Sequence, residues 1–254
     1  MAGPYWDEGF MSGEGAFPHL LALGDSWFWY PFNNLLIPIH GLWAGAKVLL
    51  AQGAVGAEAV ELASGKWLKN FRAALRGYPS IQAVLLSAGG NDFAGLDDMS
   101  VILKPDCSNE ASGADCFKAA ALEQLLFRDV LGAYRTLIDE VARHRPEALV
   151  YVHNYDYALP SGQGFLGFGG WLKEPMAHAH VPEPLQQVAV NHLIDTFGDA
   201  LAQVQREFSE RVLLVDSSGV LAASDWANEL HPSIGGFNKV VQQAWQQPLL
   251  DNLP

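Results

Sequence analysis

Short apolar runs alternate with longer amphipathic segments along this chain. The apolar runs are His19–Leu23, Lys47–Ala51, Ile81–Leu86, Ala148–His153 and Arg211–Val215. Each run lies close to Gly, Ser, Asn or Asp, which is typical of a strand buried on both faces of a parallel sheet. The predicted helices between and after them are Ala57–Arg76, Phe117–His144, Pro184–Glu210 and Ile234–Gln247. The pattern therefore predicts an α/β domain with three layers (α/β/α sandwich) and a five-stranded parallel sheet.

Two longer connections follow the third and fourth predicted strands. Residues 93–116 contain both cysteines of the chain, and residues 158–182 are rich in Gly, Phe and His. Both segments leave the carboxyl ends of strands, which is where open parallel sheets bind ligands. We expect a single domain over residues 1–254 in which these two insertions shape a binding pocket.

Composition and charge exclude several classes of protein. The 254 residues carry 15 basic and 28 acidic side chains, a net charge of −13. This balance argues against nucleic-acid binding, which requires a basic patch to displace counterions from phosphates. Because 50% of the residues are hydrophobic and only 17% are charged, disorder and a coiled coil are also excluded. The oligomeric state stays open.

The sequence gives no sign of a membrane span or a signal peptide. Ser26–Ala46 carries no charge over about 21 residues, the length of a bilayer-spanning helix. Prolines and asparagines interrupt this segment, so we expect no integral membrane span. The first ten residues have neither the basic nor the apolar region of a signal peptide, and we expect a soluble protein.

Cys107 and Cys116 lie nine positions apart in a polar segment. They form either a small-loop disulfide or two unpaired surface thiols. A Cys107–Cys116 disulfide would favour a periplasmic or secreted protein. A zinc site needs four ligands at suitable spacing, and the pair His178 and His180 is more typical of solvent-facing side chains. We expect no metal.

Four short motifs follow successive strands or precede the last helix. They are GDS with Ser26, QGAVG with Gly56, GGND with Asn91, and HPS with His231. A serine hydroxyl is a nucleophile, and a histidine is the best side chain to take its proton near neutral pH. Backbone amides and an Asn amide stabilise a developing oxyanion. Each motif alone is weak, since serines cap helices and glycines form turns, but their order along the chain is informative.

This order of motifs resembles the SGNH, or GDSL-type, serine hydrolases. The resemblance covers nearly the whole chain and implies a flavodoxin-like fold. It also implies hydrolysis of carboxylic esters or thioesters without a metal or cofactor. The implied nucleophile is Ser26, the implied general base is His231, and the implied oxyanion hole is formed by the Ser26 amide, the Gly56 amide and the Asn91 side chain. The G-x-S-x-G motif of α/β-hydrolases is absent around Ser26.

The family pattern places an Asp three residues before the histidine, and this chain has Asn228 there. An Asn carbonyl accepts the same hydrogen bond as a carboxylate but adds no charge, and its amide nitrogen would set the wrong tautomer. We expect a Ser26–His231 pair oriented by Asn228, with Asp225 as the second candidate. Glu229 and Asp216 are further acids nearby.

The substrate is expected to be a small-molecule ester with an apolar acyl or aryl group. Trp27 replaces the Leu that usually follows the serine, and Phe28, Trp29 and Tyr30 add further rings beside it. Tyr155-Asp156-Tyr157 either lines the pocket or forms a turn. A flap over the pocket is expected from Phe165, Phe168 and Trp171.

Two other functions compete with a serine esterase. A non-catalytic ligand-binding relative of the hydrolase fold is motivated by Asn228. A metal-dependent phosphoesterase is suggested by the GD, GGND and His motifs, but the Asp-x-His that such enzymes need does not occur before Gly24.

Overall fold

The computed structural model describes residues 3–31, 33–164 and 169–253. Its sheet consists of β1 Leu20–Gly24, β2 Leu49–Gly53, β3 Ala83–Ser87, β4 Leu149–His153 and β5 Val212–Val215. The strands are parallel and lie in the order β2-β1-β3-β4-β5. Every residue of β1, β2 and β3 is buried, as expected for a sheet that is covered on both faces. The predicted five-stranded parallel sheet is confirmed, and each strand boundary agrees within about two residues.

The helices in chain order are α1 Glu8–Gly13, α2 Ser26–Trp29, α3 Leu36–Gly41, α4 Ala59–Leu62, α5 Gly65–Gly77, α6 Leu96–Ile102, α7 Ala119–Glu123, α8 Leu131–His144, α9 Lys173–His178, α10 Glu183–Glu207, α11 Ile234–Val240 and α12 Gln246–Asn252. Two π-helical turns join neighbouring helices: Gln124–Val130 joins α7 to α8, and Val241–Trp245 joins α11 to α12. The predicted helices at Phe117–His144, Pro184–Glu210 and Ile234–Gln247 are therefore confirmed as helical segments.

The helices form two groups that cover the sheet. Helix α8 contacts both α5 and α10, while the π turn before α12 contacts α3. Trp245 of that turn lies close to the buried ring of Tyr151 in β4, with ring centroids 6.5 Å apart. The result is the predicted three-layer α/β/α sandwich.

One predicted helix is interrupted. The segment Ala57–Arg76 contains the two helices α4 and α5, which are separated at Ser64. The backbone of Ser64 is extended, and Gly65 has φ +49°, a left-handed conformation that favours glycine. The apolar spacing continues through this break, which is why the sequence pattern did not reveal it.

The two insertions contact each other at the carboxyl edge of the sheet. The first contains α6 and the second contains α9. The amide of Gly95 donates to the carbonyl of Trp171 at 3.1 Å, and the amide of Cys107 donates to the carbonyl of Ala179 at 2.8 Å. Residues that are about 75 positions apart in the chain thus form one structural layer.

Cys107 and Cys116 are fully buried, and both thiols are free. The interpretation as surface thiols is therefore wrong. The sulfur of Cys107 lies 3.7 Å from the carbonyl oxygen of Cys116. The alternative prediction, a Cys107–Cys116 disulfide, is not borne out either, since the structure has two unpaired and buried thiols.

The uncharged segment Ser26–Ala46 contains α2 and α3. Across the described ranges, no helix combines the length and apolar character needed to cross a bilayer. His178 and His180 are exposed. In the part of the chain that the structure describes, no three His, Cys, Asp or Glu side chains are grouped so that they could hold a metal ion.

Candidate active site

The turn after β1 places Ser26 at the carboxyl edge of the sheet. Asp25 caps the short helix α2, because its carboxylate accepts from the amide of Trp27 at 3.0 Å. The end of β1 is too crowded for a side chain at Gly24, where a Cβ would lie 2.8 Å from the carbonyl oxygen of Ser87. At Gly53 of the neighbouring strand, with φ +126°, a Cβ would meet the carbonyl oxygen of Gly24. These two glycines let the strand ends approach closely enough to fix the position of the serine.

Ser26 and His231 are in direct contact, although 205 positions separate them. The Ser26 Oγ lies 2.8 Å from the His231 Nε2. Their exposed fractions are 7% and 4%. The residues next to them are also bonded, because the indole Nε1 of Trp27 donates to the carbonyl of Leu230 at 2.9 Å. Trp27 therefore holds the serine turn against the histidine loop.

The side chain of Asn228 contacts the second ring nitrogen of His231, Nδ1. Its Oδ1 lies 3.0 Å from the His231 Nδ1 and accepts from the backbone amides of His231 at 2.8 Å and Leu230 at 3.0 Å. Its Nδ2 donates to the Tyr30 hydroxyl at 3.1 Å. Since two backbone N–H groups point at Oδ1, the carbonyl oxygen and not the amide nitrogen faces the ring. The proton of the neutral imidazole then lies on Nδ1, and the Nε2 lone pair faces Ser26.

The structure gives other partners to the nearby acids. Asp225 accepts from the Lys239 ammonium at 2.8 Å and from the Ala222 amide at 2.8 Å. Asp216 binds Ser218 and the side chain of Asn154. Glu229 turns away from the histidine and binds backbone amides of the second insertion. Of the candidates considered from sequence, Asn228 is the one whose side chain contacts His231.

Two aromatic rings enclose His231. The ring of Tyr30 stacks on the imidazole with centroids 4.0 Å apart and an interplanar angle of 13°, and Trp171 approaches edge-on at 5.9 Å. Burial lowers the pKa of His231 to about 4, because the protonated ring loses its hydration. The imidazole is therefore neutral at pH 7 and able to accept a proton.

The predicted oxyanion donors lie on loops that are bonded to each other. The Asn91 Nδ2 donates to the carbonyl of Ala57 at 3.0 Å, next to Gly56, which has φ +79°. Asp92 extends the same connection, since its Oδ2 accepts from the amide of Ala59 at 2.8 Å. An Asn amide has two hydrogens, so Asn91 retains one for a ligand beside Ser26. Asn91 and Ser26 line the same cavity, whereas Gly56 is exposed in its turn.

Sequence reasoning missed a buried polar chain beneath the nucleophile. Asp25 accepts from the hydroxyls of Tyr155 at 2.5 Å and Ser87 at 2.9 Å, and the Ser87 Oγ lies 2.9 Å from the His153 Nε2. The Tyr155 hydroxyl also accepts from the amide of Gly90 at 3.1 Å. Tyr155 thus joins the serine turn to the loop of Asn91. The sequence pointed to Tyr155 as a residue of the pocket or a turn, but its only sign of Ser87 and His153 was a polar residue at the end of each apolar run.

Burial shifts the pKa values of the titratable groups in this buried hydrogen-bonded chain. It raises the pKa of Asp25 to about 6 and lowers the pKa of His153 to about 3, because each charged form is desolvated. His153 is therefore neutral at pH 7. Burial also raises the pKa of the neighbouring Asp92 to about 7.

An apolar cavity opens beside Ser26. Its unfilled space, including the solvent-filled mouth, is about 470 Å³. Tyr155 and Asp156 line it, and Asp156 also holds a turn by accepting from the amides of Gly219 and Leu221. The other lining residues are mostly apolar and include Trp27, Phe93, Ala158, Leu172, Val190, Leu193, Ile194, Trp226 and Leu230.

The aromatic residues next to Ser26 have separate positions. Trp27 lines the cavity, Phe28 is fully buried in the core, and Trp29 donates from its indole to the carbonyl of Gln52 at 2.9 Å. Of the expected flap residues, Trp171 lies against His231. Phe165 and Phe168 lie outside the described residues.

Comparison with solved structures relates the fold to lipases and esterases. A lipase from a goat rumen metagenome superposes with a TM-score of 0.60 at 13% identity, over 93% of this chain and 97% of that one. A phospholipase A1 from Streptomyces albidoflavus gives a TM-score of 0.54 at 19% identity, over 89% and 99%. An extracellular lipase from Streptomyces rimosus gives 0.55 at 15% identity, over 89% and 99%. Neither a family model nor a curated protein matches the sequence.

The chain therefore has the α/β fold of the GDSL-type lipases and esterases. At identities below 20%, the likeness concerns the fold.

Proposed function

We propose that this protein is a serine esterase of the SGNH type that hydrolyses carboxylic esters. The observation that carries the proposal is the continuous contact from the Ser26 Oγ through both ring nitrogens of His231 to the Asn228 Oδ1. A nucleophile within hydrogen-bond reach of a base, and a base oriented by a third group, is the arrangement required for acyl transfer.

Acylation begins with the Ser26 hydroxyl. Its oxygen attacks the ester carbonyl carbon while its proton moves to the His231 Nε2. The carbonyl oxygen becomes an oxyanion, which accepts hydrogen bonds from the Ser26 amide, the Gly56 amide and the Asn91 side chain. The His231 Nε2 then gives its proton to the leaving alcohol, and an acyl group stays on Ser26.

Deacylation repeats these steps with water. His231 takes a proton from a water molecule, and the resulting hydroxide attacks the acyl carbon. The proton returns to the Ser26 oxygen when the carboxylic acid leaves. Asn228 holds the imidazole in the required tautomer through both steps, but brings no negative charge to the imidazolium.

The cavity beside Ser26 supports an apolar acyl or aryl group in the substrate. Its walls are aliphatic and aromatic side chains, and the two carboxylates that line it, Asp25 and Asp156, are already bound to protein donors. An ester with a charged group at this position would lose hydration without gaining a partner.

The test is a Ser26→Ala variant assayed with a short p-nitrophenyl ester. We expect loss of hydrolysis and of labelling by a fluorophosphonate, with an unchanged circular dichroism spectrum. A matched control is Ser100→Ala, which removes an exposed hydroxyl on α6 and should leave both activities intact. Full hydrolysis by the Ser26 variant would remove Ser26 from the mechanism.

A non-catalytic binding protein is the second candidate, favoured by the neutral Asn228. The same labelling experiment separates the two functions. Stoichiometric labelling of Ser26 indicates an activated nucleophile, whereas an unlabelled but folded wild-type protein supports the binding function.

A further inference from the structure

Glu229 is a fully buried carboxylate in the loop that carries His231. Its Oε1 accepts from the amides of Gly162 at 2.7 Å and Lys173 at 3.1 Å, and its Oε2 accepts from the amide of Leu172 at 2.8 Å. The backbone amide of Glu229 donates in turn to the carbonyl of Gln163 at 3.0 Å. A carboxylate that accepts several backbone N–H groups forms charge-assisted bonds, which are stronger than neutral ones. We call this set of bonds the Glu229 clamp.

The clamp determines the position of two side chains at the site. Leu172, whose amide is bound to Glu229, lines the cavity beside Ser26. The preceding Trp171 lies edge-on against His231. The backbone of the second insertion also packs closely against the Glu229 carboxylate, because a Cβ at Gly170 would lie 2.5 Å from it. The second insertion is therefore fixed to the loop of the histidine itself.

Helix α10 forms the wall opposite this insertion. Val190, Leu193 and Ile194 face the cavity from one turn of the helix, and each is at least 97% buried. Phe93 of the first insertion also lines the cavity, and its ring lies 6.0 Å from that of Phe197 in α10. We call this apolar cavity, which Ser26 and residues of α10 both line, the slot.

The position of His231 decides which part of an ester enters the slot. The leaving alcohol has to receive its proton from the His231 Nε2, so its oxygen lies on the histidine side of the carbonyl carbon. Ser26 and Asn91 line the slot, but His231 is not among its lining residues. The slot therefore extends from the acyl side of the carbonyl, and the alcohol group lies outside it.

We propose that Glu229 is a positioning residue for acyl selectivity: its clamp holds Leu172 in the wall of the slot and so determines how well the slot accepts an acyl group longer than acetyl. This inference rests on the proposed esterase function and adds its acyl selectivity. Glu229 acts as a positioning residue, because it contacts the insertion and not the substrate.

The test measures kcat and KM for p-nitrophenyl octanoate and p-nitrophenyl acetate. In Glu229→Ala, we expect the octanoate-to-acetate ratio of kcat/KM to fall at least tenfold, mainly through KM for octanoate. Glu229→Gln should give an intermediate fall, since its single carbonyl oxygen replaces only one of the two acceptors. The control is Glu174→Gln, which changes an exposed glutamate of the same insertion and should leave the ratio within about twofold.

Two variants keep the test decisive if Glu229→Ala fails to fold. Leu193→Trp fills the slot from α10, and Gly170→Ala displaces the carboxylate from the insertion side. Both should lower the same ratio at least tenfold. Hydrogen exchange at the Leu172 amide should become faster in Glu229→Ala and in Gly170→Ala, but not in Leu193→Trp.

The outcomes separate this inference from the proposed function. If wild-type protein hydrolyses neither ester and Ser26 is not labelled, the esterase function itself is wrong. If both esters are hydrolysed and the ratio is unchanged in the clamp and slot variants, the esterase function stands and the acyl slot is refuted.

Discussion

Asn228→Asp tests the role of the residue that orients His231. The new carboxylate would keep the acceptor at 3.0 Å from Nδ1, and its second oxygen would face the Tyr30 hydroxyl, which can donate. The substitution therefore adds a charge with little change in shape. We expect it to raise the pKa of His231 and to stabilise the imidazolium that forms during catalysis.

The magnitude follows from the distance between the groups. A unit charge about 4 Å from the imidazolium, at an effective dielectric constant of about 20, contributes about 4 kcal/mol. At about 1.4 kcal/mol per pH unit, this moves the pKa of His231 upward by about three pH units. Starting from about 4, the pKa would approach 7.

The assay is the pH dependence of kcat/KM for a short p-nitrophenyl ester between pH 3.5 and 9. Because only neutral imidazole acts as the base, wild-type activity should persist above about pH 4 and fall below it. The variant should lose activity below about pH 7. At pH 8 its kcat/KM should exceed that of wild type by tenfold or more, and the 4 kcal/mol estimated above limits the increase to about 10³-fold. Asp225→Ala is the control and should leave the profile unchanged.

An unchanged acid limb together with lower activity at pH 8 would refute this reasoning. It would mean that the side chain at position 228 does not govern the charge of the imidazole. A collapse of activity in Asp225→Ala would transfer the orienting role to that residue.

Two further predictions concern the buried groups beneath the site. Tyr155→Phe removes the bridge between Asp25 and the Gly90 amide, and it should lower kcat about tenfold or more with little change in KM, as measured by steady-state kinetics. Asp92→Asn should raise the free energy of unfolding at pH 8 but not at pH 4. In the folded protein the pKa of Asp92 is about 7, whereas in the unfolded chain it is about 4. Asp92 therefore contributes its full stabilisation below about pH 4, where it is protonated in both states, and this stabilisation is lost as the pH rises through 7. Asn stays neutral at both pH values and avoids that loss. The gain is at most about 4 kcal/mol and is measured by urea unfolding at both pH values; equal gains at both would contradict it.

The sheet and the main helices could be predicted because their signal is local. The run Ala83–Leu86 is apolar and short, and Gly and Asn residues follow it closely, which together favour a buried strand over a helix. The break at Gly65 and the short helices α3 and α9 were missed. Helices α3 and α9 have no clear apolar spacing, and each contains a proline, Pro38 or Pro175, which argues against a helix. Propensity is a weak guide where tertiary contacts decide the conformation.

The candidate site divides in the same way. Ser26, Asn91 and His231 stand next to strand ends or a helix start, so the sequence brought them forward as candidates. The orientation of the Asn228 amide is determined by backbone amides that no pattern reveals. Glu229 is a similar case: its partners lie 56 to 67 positions away, and only the folded insertion brings them to its carboxylate.

The indole of Trp27 has a mechanical consequence. It bonds the residue after the nucleophile to the residue before the base, so the two reacting side chains are braced by their own covalent neighbours. Their separation is preset rather than assembled when substrate arrives. Gentle heating should therefore not erode turnover gradually; the reaction should stop at the temperature at which tertiary structure melts.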